Sequence, residues 1–580
     1  MPATSTRLIA SSRFSEIVFR AQNSCSLSHP PQCPARAADM RVRERAIAAL
    51  AILCACVTVA HARETFVEEV LLQRLPDDVV VAVFTFTQTA PTDARHYTVM
   101  SKPLASVLAH SSAHELELSF GRGRWNARRW GTSPVVAKPV GAEVWGTFPN
   151  GATDDVNKAW TNATTMLGGI FCASLSALST STAVTAPALA FHRWNGDAKA
   201  ITPVDAIVKH ATLPHEAVCV ENLAPWLKQL PCRDRSGLGK ALKSAYEVFG
   251  ANHLTFGTKL SRDADTIRVE QTLMMVLPTV GDGFESIIDL LNEAAVESCV
   301  VADESYVHVR EPRALRTFDL TRGEAAIRTK ALQTVSQSPT MFVERFLTGT
   351  GNEFGGIVID IERAVVDMTR LPACTRVRLF QPLPWFVKLY MHTLVVELDG
   401  ARVSHDDHNV IEGMKFIPAE DRTRSSVMEM QLMMVSSTST LRIRVDYDKG
   451  FLRAHEFPPD ANRGFDLPPA QLSIYPSGLW DPVASDVNTP LVAKLQSSPL
   501  EVVYMNSLLL SLPTPDFSMI FNVAALTGSV LSVIVVSVVR ILIKRPVWTD
   551  YIKQKKAQRK RLAKSAPSVF TRVLNKFKHS

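Results

Sequence analysis

An uninterrupted apolar stretch near the carboxyl end constrains this chain more than any other feature. Residues Met519 to Val539 read MIFNVAALTGSVLSVIVVSVV and contain no charged side chain. At about 1.5 Å per helical residue, a helix of this length spans roughly 30 Å, the thickness of a hydrocarbon core. The stretch therefore predicts one transmembrane helix within residues 518–543.

The residues after this helix predict its orientation. From Lys544 to Ser580 there are 12 Lys and Arg residues and one acidic residue, Asp550. Because positively charged flanks stay on the cytoplasmic side, residues 544–580 are expected to form a basic cytoplasmic tail lying against anionic headgroups. Lys576 and Lys578 near its end are similar to the dilysine retrieval signal of type I proteins of the endoplasmic reticulum.

The first 62 residues have the pattern of a cleaved secretory leader. Three arginines follow Met40, residues 46–60 are small or apolar, and the sequence AHA at 60–62 fits a signal-peptidase site. We expect translation to start at Met40, or residues 1–39 to be dispensable, with cleavage after Ala62. A retained signal anchor is the alternative, although the apolar region is short for one. The leader and the single span together predict a type I membrane protein with a lumenal body.

The net charge of the chain is +7, and it is unevenly distributed. The leader contributes +4 and the tail +11, which leaves −8 for residues 63–543. Because the positive charge lies in the two ends, the lumenal body does not have the charge of a nucleic-acid-binding protein, and no nucleic-acid partner is expected.

Five of the nine cysteines belong to the expected lumenal body: Cys172, Cys219, Cys232, Cys299 and Cys374. In an oxidising compartment most of them should pair, and the odd number leaves one free or bound to another chain. Cys219 and Cys232 flank a short, proline-containing stretch, and a bridge between them would contribute about 3 kcal/mol in the chain-entropy model. Cys299 and Cys374 are a second, locally unsupported pair.

Cys172 is then the unpaired cysteine, and it lies in the apolar sequence GGIFCASLSAL at 168–178. Two interpretations remain open from the residues alone, a bond to a cysteine of another chain and a buried free thiol. A nucleophilic role is disfavoured, because no histidine occurs in a recognisable partner motif and apolar neighbours do not favour a thiolate.

Strand patterns dominate the lumenal body. Apolar and polar residues alternate in VVVAVFTFTQT (79–89) and HELELSF (114–120), and similar runs recur as far as LRIRVDY. This predicts a mainly β, α+β body of antiparallel sheets with sandwich-like architecture. We expect an N-terminal lumenal part at 63–280 and a β-rich C-terminal part at 281–517.

Helices are expected in three places: SKPLASVLAHSS (101–112), a segment from an N-cap at Asp154 or Asp155 to Phe171, and GLGKALKSAYEVFG (237–250). In the second helix, Val156, Trp160, Leu167 and Phe171 fall on one stripe, and Cys172 lies just beyond the end. The sequon Asn162-Ala163-Thr164 falls on the opposite side, which makes Asn162 a candidate for N-glycosylation.

Motifs for catalysis, metals or cofactors are absent from the sequence, which has no GxSxG, HExxH, Walker or CxxC pattern. GTGNEFGG (349–356) predicts a turn, and HDDH (405–408) predicts a solvated loop rather than a metal site. No catalytic residue, metal or cofactor is therefore expected. In the span, Ala524, Gly528 and Ser532 recur every four residues, which predicts close packing against other membrane helices.

Several stretches resemble, in the same order, the PIG-T family of GPI transamidase subunits. They are SLPTPDFSMIFNV (511–523), ELELSFGRGRWNARRWG (115–131), GGIFCASL, VCVENLAPWLKQLPC, PWFVKLYMHTL (384–394) and PPDANRGFDLPP (458–469). The resemblance covers most of residues 63–543. Cys374 and the extension before Met40 have no counterpart in this pattern.

The resemblance implies a subunit of an endoplasmic reticulum membrane complex that replaces a C-terminal signal of a proprotein with a GPI lipid. In that family the cysteine-protease-like subunit performs the chemistry, and PIG-T-like subunits are non-catalytic scaffolds that stabilise it. The cysteine corresponding to Cys172 is implied to form a disulfide with the catalytic subunit. Other membrane subunits would be direct partners, and the proprotein and GPI lipid indirect ones. The competing hypotheses are a self-sufficient lumenal cysteine hydrolase or transferase and a type I lumenal cargo receptor.

Overall fold

The computed structural model describes a large part of the chain. The described residues are 63–94, 96–178, 182–186, 206–278, 298–312, 314–322, 333–335, 337–349, 351, 353–364, 374–435, 437–457, 462–475, 487–497, 501–514, 517–543 and 546–565. The expected leader and the two lysines near the carboxyl end, Lys576 and Lys578, lie outside these residues.

The first half of the chain forms a ten-stranded sheet within the described residues. Its strands are β1 (Thr65–Leu75), β2 (Val79–Pro91), β3 (Glu115–Arg122), β4 (Gly141–Pro149), β5 (Val184–Ala186), β6 (Ala206–Leu213), β7 (His253–Arg262), β8 (Thr266–Pro278), β9 (Glu304–Arg310) and β10 (Leu315–Asp319). The order across the sheet is β10-β9-β1-β2-β8-β7-β3-β4-β6-β5. Neighbours are antiparallel except β1 and β9, which are parallel.

The helices of the described residues have the following bounds: α1 (Lys102–Ser111), α2 (Ala127–Trp130), α3 (Thr153–Phe171), α4 (Val220–Lys228), α5 (Ala245–Phe249), α6 (Pro490–Ser497), α7 (Phe517–Ile543) and α8 (Pro546–Ser565). Helices α1, α3 and α4 bury their apolar stripes in one core with one face of the ten-stranded sheet. That face supplies alternate strand residues such as Phe84, Leu118 and Phe256, as expected from the two-residue period of a strand.

The second half of the chain forms a β-sandwich. One five-stranded sheet has the order β11-β12-β18-β14-β15 and the other β16-β17-β13-β20-β21, and a small β19-β22 pair adjoins them. The bounds are β11 (Met341–Thr348), β12 (Phe354–Arg363), β13 (Cys374–Leu383), β14 (Val387–Leu398), β15 (Ala401–Arg402), β16 (Ile411–Ile417), β17 (Ser426–Val435), β18 (Thr440–Lys449), β19 (Phe465–Leu467), β20 (Gln471–Tyr475), β21 (Glu501–Tyr504) and β22 (Leu508–Leu510). Residues of both large sheets share one core, which confirms the predicted antiparallel, mainly β architecture.

The two halves pack against each other at one end of the ten-stranded sheet. Trp145 on β4 stacks on His210 of β6 with ring centroids 3.8 Å apart, and Phe380 on β13 lies 5.6 Å from Trp145. Val427 of β17 completes this small apolar cluster. The contact joins the edge region of the first sheet to one sheet of the sandwich.

Strands β9 and β10 lie beyond the boundary expected after residue 280, yet they pair in the first sheet. A boundary drawn from the two cores falls between residues 322 and 341, because the first core ends at Leu320 and the second begins at Met341. We therefore propose to divide the β-rich body there. The two boundaries differ because β9 pairs with β1, which lies more than 200 residues earlier in the chain. Local sequence patterns do not record such a pairing.

The carboxyl-terminal part is helical. α7 contains a segment, Phe521–Ile543, that is long and apolar enough to cross a membrane, and its mean hydropathy is 2.3. None of that segment is buried against the other described residues, which is consistent with the predicted single span. Leu512, only five residues before the start of α7, is 7% exposed within the second core.

Two helix predictions need correction. α3 begins at Thr153 with Ala152 as its N-cap, so Asp154 and Asp155 lie in the first turn. Their negative charges interact favourably with the positive end of the helix dipole, but neither side chain caps the helix. The third expected helix is divided into a 3-10 turn at Leu238–Leu242 and the short α5. The first predicted helix is confirmed as α1, which begins after Ser101, and the side chain of Ser101 caps it by accepting the N–H of Leu104.

Candidate functional site

The candidate site is built on the buried face of α3. Val156, Trp160, Leu167 and Phe171 are all buried, as the stripe predicts. Phe171 packs edge-on against Phe120 of β3 with centroids 6.3 Å apart. The indole Nε1 of Trp160 donates to the carbonyl of Leu178 at 3.0 Å. The helix and the segment that follows it are therefore fixed to the sheet.

Cys172 ends this helix in a left-handed backbone conformation, with φ of 53°. Its backbone N–H donates to the carbonyl of Gly168, while its side chain is exposed. The neighbours on either side, Phe171 and Leu175, are fully buried. The thiol therefore projects from a short turn whose two ends are anchored in the core.

Gly168 permits this turn. A Cβ at Gly168 would lie 2.9 Å from the backbone oxygen of Ala173, whereas a Cβ at Gly169 would meet nothing within 4 Å. Only the first of the two glycines is therefore required by the close approach of the chain.

Asn222 of α4 fastens the turn from the other side. This residue is 1% exposed, and its side-chain amide donates to the carbonyls of Phe171 and Cys172 at 3.0 and 3.3 Å. Its side-chain oxygen accepts the N–H of Cys219 at 3.1 Å. A single buried amide thus connects the backbones at Cys172 and Cys219, which lie at the end of one helix and the start of another.

Glu216 adds a further contact by accepting the backbone N–H of Ser174 at 3.0 Å. Neither Asn222 nor Glu216 was among the site residues predicted from the sequence. A signal for Asn222 was present, because an asparagine three residues after Cys219 has the spacing of a capping box. Its contact with Cys172, 50 residues away, could not be derived from that spacing.

The predicted cysteine pairs are wrong. Cys232 is joined to Cys299, with Cα atoms 5.8 Å apart, and Cys219 and Cys374 are free. Neither the Cys219–Cys232 nor the Cys299–Cys374 bridge is therefore present. The predicted pairing relied on proximity in sequence, but the nine residues of α4 follow Cys219 directly and rise about 14 Å away from it. The chain then continues for three residues to Cys232, whose partner is Cys299.

Glu68 of β1 fixes the Cys299 end of the observed disulfide. Its carboxylate accepts the backbone N–H groups of Cys299 at 2.9 Å and Leu238 at 3.1 Å, and the hydroxyl of Ser305 at 2.8 Å. Burial raises the pKa of Glu68, while the hydrogen bond from Cys299 opposes this effect. The disulfide therefore lies in an ordered, buried polar cluster.

The other predicted site residues occupy separate places. Asn162 lies on the exposed side of α3, and Cys374 is exposed at the start of β13. Ala524, Gly528 and Ser532 lie along α7, where the hydroxyl of Ser532 donates to the carbonyl of Gly528 at 2.8 Å. That internal hydrogen bond lets a polar residue lie within an apolar span.

No group of three His, Cys, Asp or Glu residues in the described part of the chain has metal-binding geometry. The HDDH sequence at 405–408 lies in a loop between β15 and β16. Gly349, with φ of 94°, lies in the connection between β11 and β12, where a turn was predicted.

Chemically, the arrangement around Cys172 presents one accessible thiol in a fixed position, which suits a bond to a second chain.

Comparison with known proteins places the chain in a family. A family model described as "Gpi16 subunit, GPI transamidase component" matches residues 50–283 and 285–566. The chain belongs to the Gpi16 family. The mouse GPI-anchor transamidase component PIGT is 28% identical over 533 residues, covering 81% of this chain and 88% of the mouse protein. The PIG-T homolog of Schizosaccharomyces pombe is 26% identical and covers 92% of this chain and 97% of its own length.

Budding yeast GPI16 is 24% identical and covers 83% of this Gpi16-family chain and 89% of the yeast protein. The family match includes both β-rich halves of the chain, α7 and α8. The predicted resemblance to PIG-T is thus confirmed.

A solved collagen-binding domain of the surface protein RspB of Erysipelothrix rhusiopathiae is 8% identical, covers 77% of this chain and 94% of its own, and has a TM-score of 0.18.

Proposed function

We propose that this Gpi16-family chain is a non-catalytic accessory subunit of GPI transamidase in the endoplasmic reticulum membrane. In this proposal, Cys172 forms a disulfide with the cysteine-protease-like catalytic subunit and so stabilises it while GPI anchors are attached to proproteins. The observation that carries the proposal is an exposed thiol on a turn anchored at both ends, in a chain of a GPI transamidase component family.

The anchoring of the turn supports a role as a tether. A flexible cysteine would have to be ordered when it paired, whereas Cys172 is already fixed by Phe171, Leu175 and Asn222. Once formed, the bond makes the remaining contacts between the two chains intramolecular, with an effective concentration in the millimolar range. A modest non-covalent interface would then be sufficient to hold the catalytic subunit.

The membrane end of the chain supports a place among other membrane subunits. Gly528 has no side chain, and no atom of the described residues outside its own helix backbone lies within 4 Å of a Cβ built there. With Ala524 and Ser532 it offers a surface for the close approach of another helix. The basic α8 that follows is proposed to lie in the cytosol, which places the body in the lumen. Asn162 is then available for glycosylation, and Lys576 and Lys578 would serve retrieval.

The test is non-reducing electrophoresis of the membrane complex carrying Cys172→Ser. Loss of a reduction-sensitive heterodimer with the catalytic subunit is expected. Cys374→Ser is the matched control, because Cys374 is also exposed and free, and Cys219→Ser controls for the neighbouring thiol. If the heterodimer survives Cys172→Ser and is lost with Cys374→Ser, the assignment of the tether is wrong, although membership of the family is unaffected.

A further inference from the structure

One end of the β-sandwich exposes two phenylalanine rings. Phe354 begins β12 and Phe451 follows β18, and the two residues are 62% and 72% exposed. Among the described residues of the sandwich, these are the two most exposed large apolar side chains. Single exposed apolar side chains are common on soluble proteins, whereas a group of them marks an interaction surface.

The strand register brings these rings to one place. Phe354 pairs with Asp448 of β18, and Asp448 pairs with Lys388 of β14, so the three positions form one row with spacings of about 4.8 Å. Phe451 follows Asp448 by three residues, a distance of at most about 11 Å. Tyr390, which is 39% exposed, donates its hydroxyl to Asp448. We call the surface formed by Phe354, Tyr390 and Phe451 the aromatic end.

The chain leaves the sandwich for α7 next to the aromatic end. The N–H of Gly450 donates to the carbonyl of Phe386 at 2.7 Å, and the ring of Phe386 packs on Phe465 with centroids 5.0 Å apart. Phe465 of β19 pairs with Leu510 of β22, and Phe517 begins α7. Three successive contacts thus connect the aromatic end with the strand that precedes the candidate span.

This strand is close enough to the span to bring the aromatic end to the membrane surface. From Leu510 to Phe517, seven residues reach at most about 25 Å when fully extended. The headgroup region adds about 5–8 Å on each side of the hydrocarbon core. Leu509, on the same strand, is 51% exposed, which places a further apolar side chain beside the route to α7.

Two cations beside the aromatic end already have partners. The ammonium group of Lys388 lies 2.8 Å from a carboxylate oxygen of Asp421, and the guanidinium of Arg422 lies 2.6 Å from that of Glu456. Arg422 also donates to the carbonyl of Phe451 at 3.2 Å. Surfaces that recognise anionic lipids present clusters of available cations. Paired charges around exposed rings instead suit the interfacial layer of a zwitterionic bilayer, where aromatic side chains are favourable.

We propose that the aromatic end is a second membrane contact of this chain, in which the rings of Phe354 and Phe451 enter the headgroup layer of a zwitterionic bilayer. The contact fixes one end of the sandwich on the membrane, whereas α7 alone leaves the body free to rotate about its connection. The proposal rests on the part of the proposed function that makes α7 the span, and it is independent of the Cys172 tether.

Lipid photolabelling of the full-length protein in phosphatidylcholine nanodiscs tests this proposal. The nanodiscs contain a phosphatidylcholine with a diazirine next to its headgroup, and adducts are mapped by peptide mass spectrometry. Adducts are expected at the ends of α7 and in the peptides that contain Phe354 and Phe451. Val300 is the internal control, because it is 91% exposed but precedes β9 in the first half of the chain. Its peptide should carry no adduct.

A matched pair of variants tests the contribution of one ring. Phe451→Asp should lower the yield of adducts in the Phe354 peptide at least about threefold, because it removes an apolar side chain from the contact and adds a charge. Val300→Asp should leave that yield unchanged. Both native side chains are exposed, so both variants should fold, and thermal unfolding checks that they do.

The possible failures are distinguishable. Adducts in α7, with the Phe354 and Phe451 peptides no higher than the Val300 peptide, overturn this contact and leave the span intact. An α7 without adducts overturns the span and this contact with it. The same labelling of the assembled membrane complex separates lipid from protein. Loss of both phenylalanine adducts on assembly would show that another subunit covers the aromatic end and would also overturn the proposal.

Discussion

Removal of the Cys232–Cys299 disulfide should destabilise the first half of the body strongly. The two cysteines are 67 residues apart in the sequence. In the chain-entropy model, a closed loop of that length stabilises the folded state by about 4.4 kcal/mol at 25 °C. The Cys219–Cys232 loop predicted from sequence would have contributed only about 3 kcal/mol. The two disulfides therefore differ in the stability that each contributes as well as in the cysteines that each joins.

The assay compares Cys299→Ser, Cys219→Ser and the unmodified full-length chain in thermal unfolding followed by intrinsic fluorescence. For a unit of about 250 residues, 4.4 kcal/mol corresponds to a decrease in Tm of roughly 10 °C or more. Cys219→Ser should change Tm little, since its thiol is free and its contact with Asn222 is made mainly through the backbone. Non-reducing peptide mapping gives an independent readout, in which Cys232 and Cys299 should occur in one linked pair of peptides.

The reasoning would be refuted if Cys219→Ser lowered Tm by this amount and Cys299→Ser did not. Linked peptides containing Cys219 and Cys232 would lead to the same conclusion. Because Cys299→Ser keeps the backbone N–H that donates to Glu68, the comparison isolates the covalent bond from the polar cluster around it.

Three further predictions follow from single positions. Gly168→Ala should destabilise the turn at Cys172 by at least about 1 kcal/mol and reduce the amount of the proposed Cys172-linked heterodimer on non-reducing gels, whereas Gly169→Ala should raise helix stability by about 0.5–1 kcal/mol. Burial raises the pKa of Glu117 from 4.5 to about 7, so the folded state retains a proton that the unfolded state has lost. The free energy of unfolding should therefore fall by up to about 3 kcal/mol as pH rises from 4.5 to 7. In denaturant titrations, the free energy of unfolding of Glu117→Gln should depend less on pH. Gly528→Leu should weaken co-purification of other membrane subunits, while Val530→Leu on the opposite side of α7 should not; equal losses would contradict a packing surface at Gly528.

Local patterns predicted the individual strands well. The alternation in residues 79–89 corresponds to β2 and that in 114–120 to β3, because a strand with one face in a core must repeat every two residues. The same reasoning identified α1 and the buried stripe of α3. It could not give the order of the sheet, since the pairing of β1 with β9 depends on the closure of a long loop and not on either sequence alone.

The cysteines show where local reasoning fails. Proximity in sequence favoured Cys219 with Cys232, but nine of the intervening residues form α4 and Cys232 is joined to Cys299 instead. Cys299 is brought to Cys232 by the register of β1 and by Glu68.

The short connection before α7 limits how far the body can stand from the bilayer. Leu512 is buried in the sandwich, and Phe517 begins the helix that contains the span. Five residues reach at most about 18 Å when fully extended. The connection therefore keeps the second core within about 18 Å of the first residue of α7, which restricts the positions that the sandwich can take relative to the candidate span.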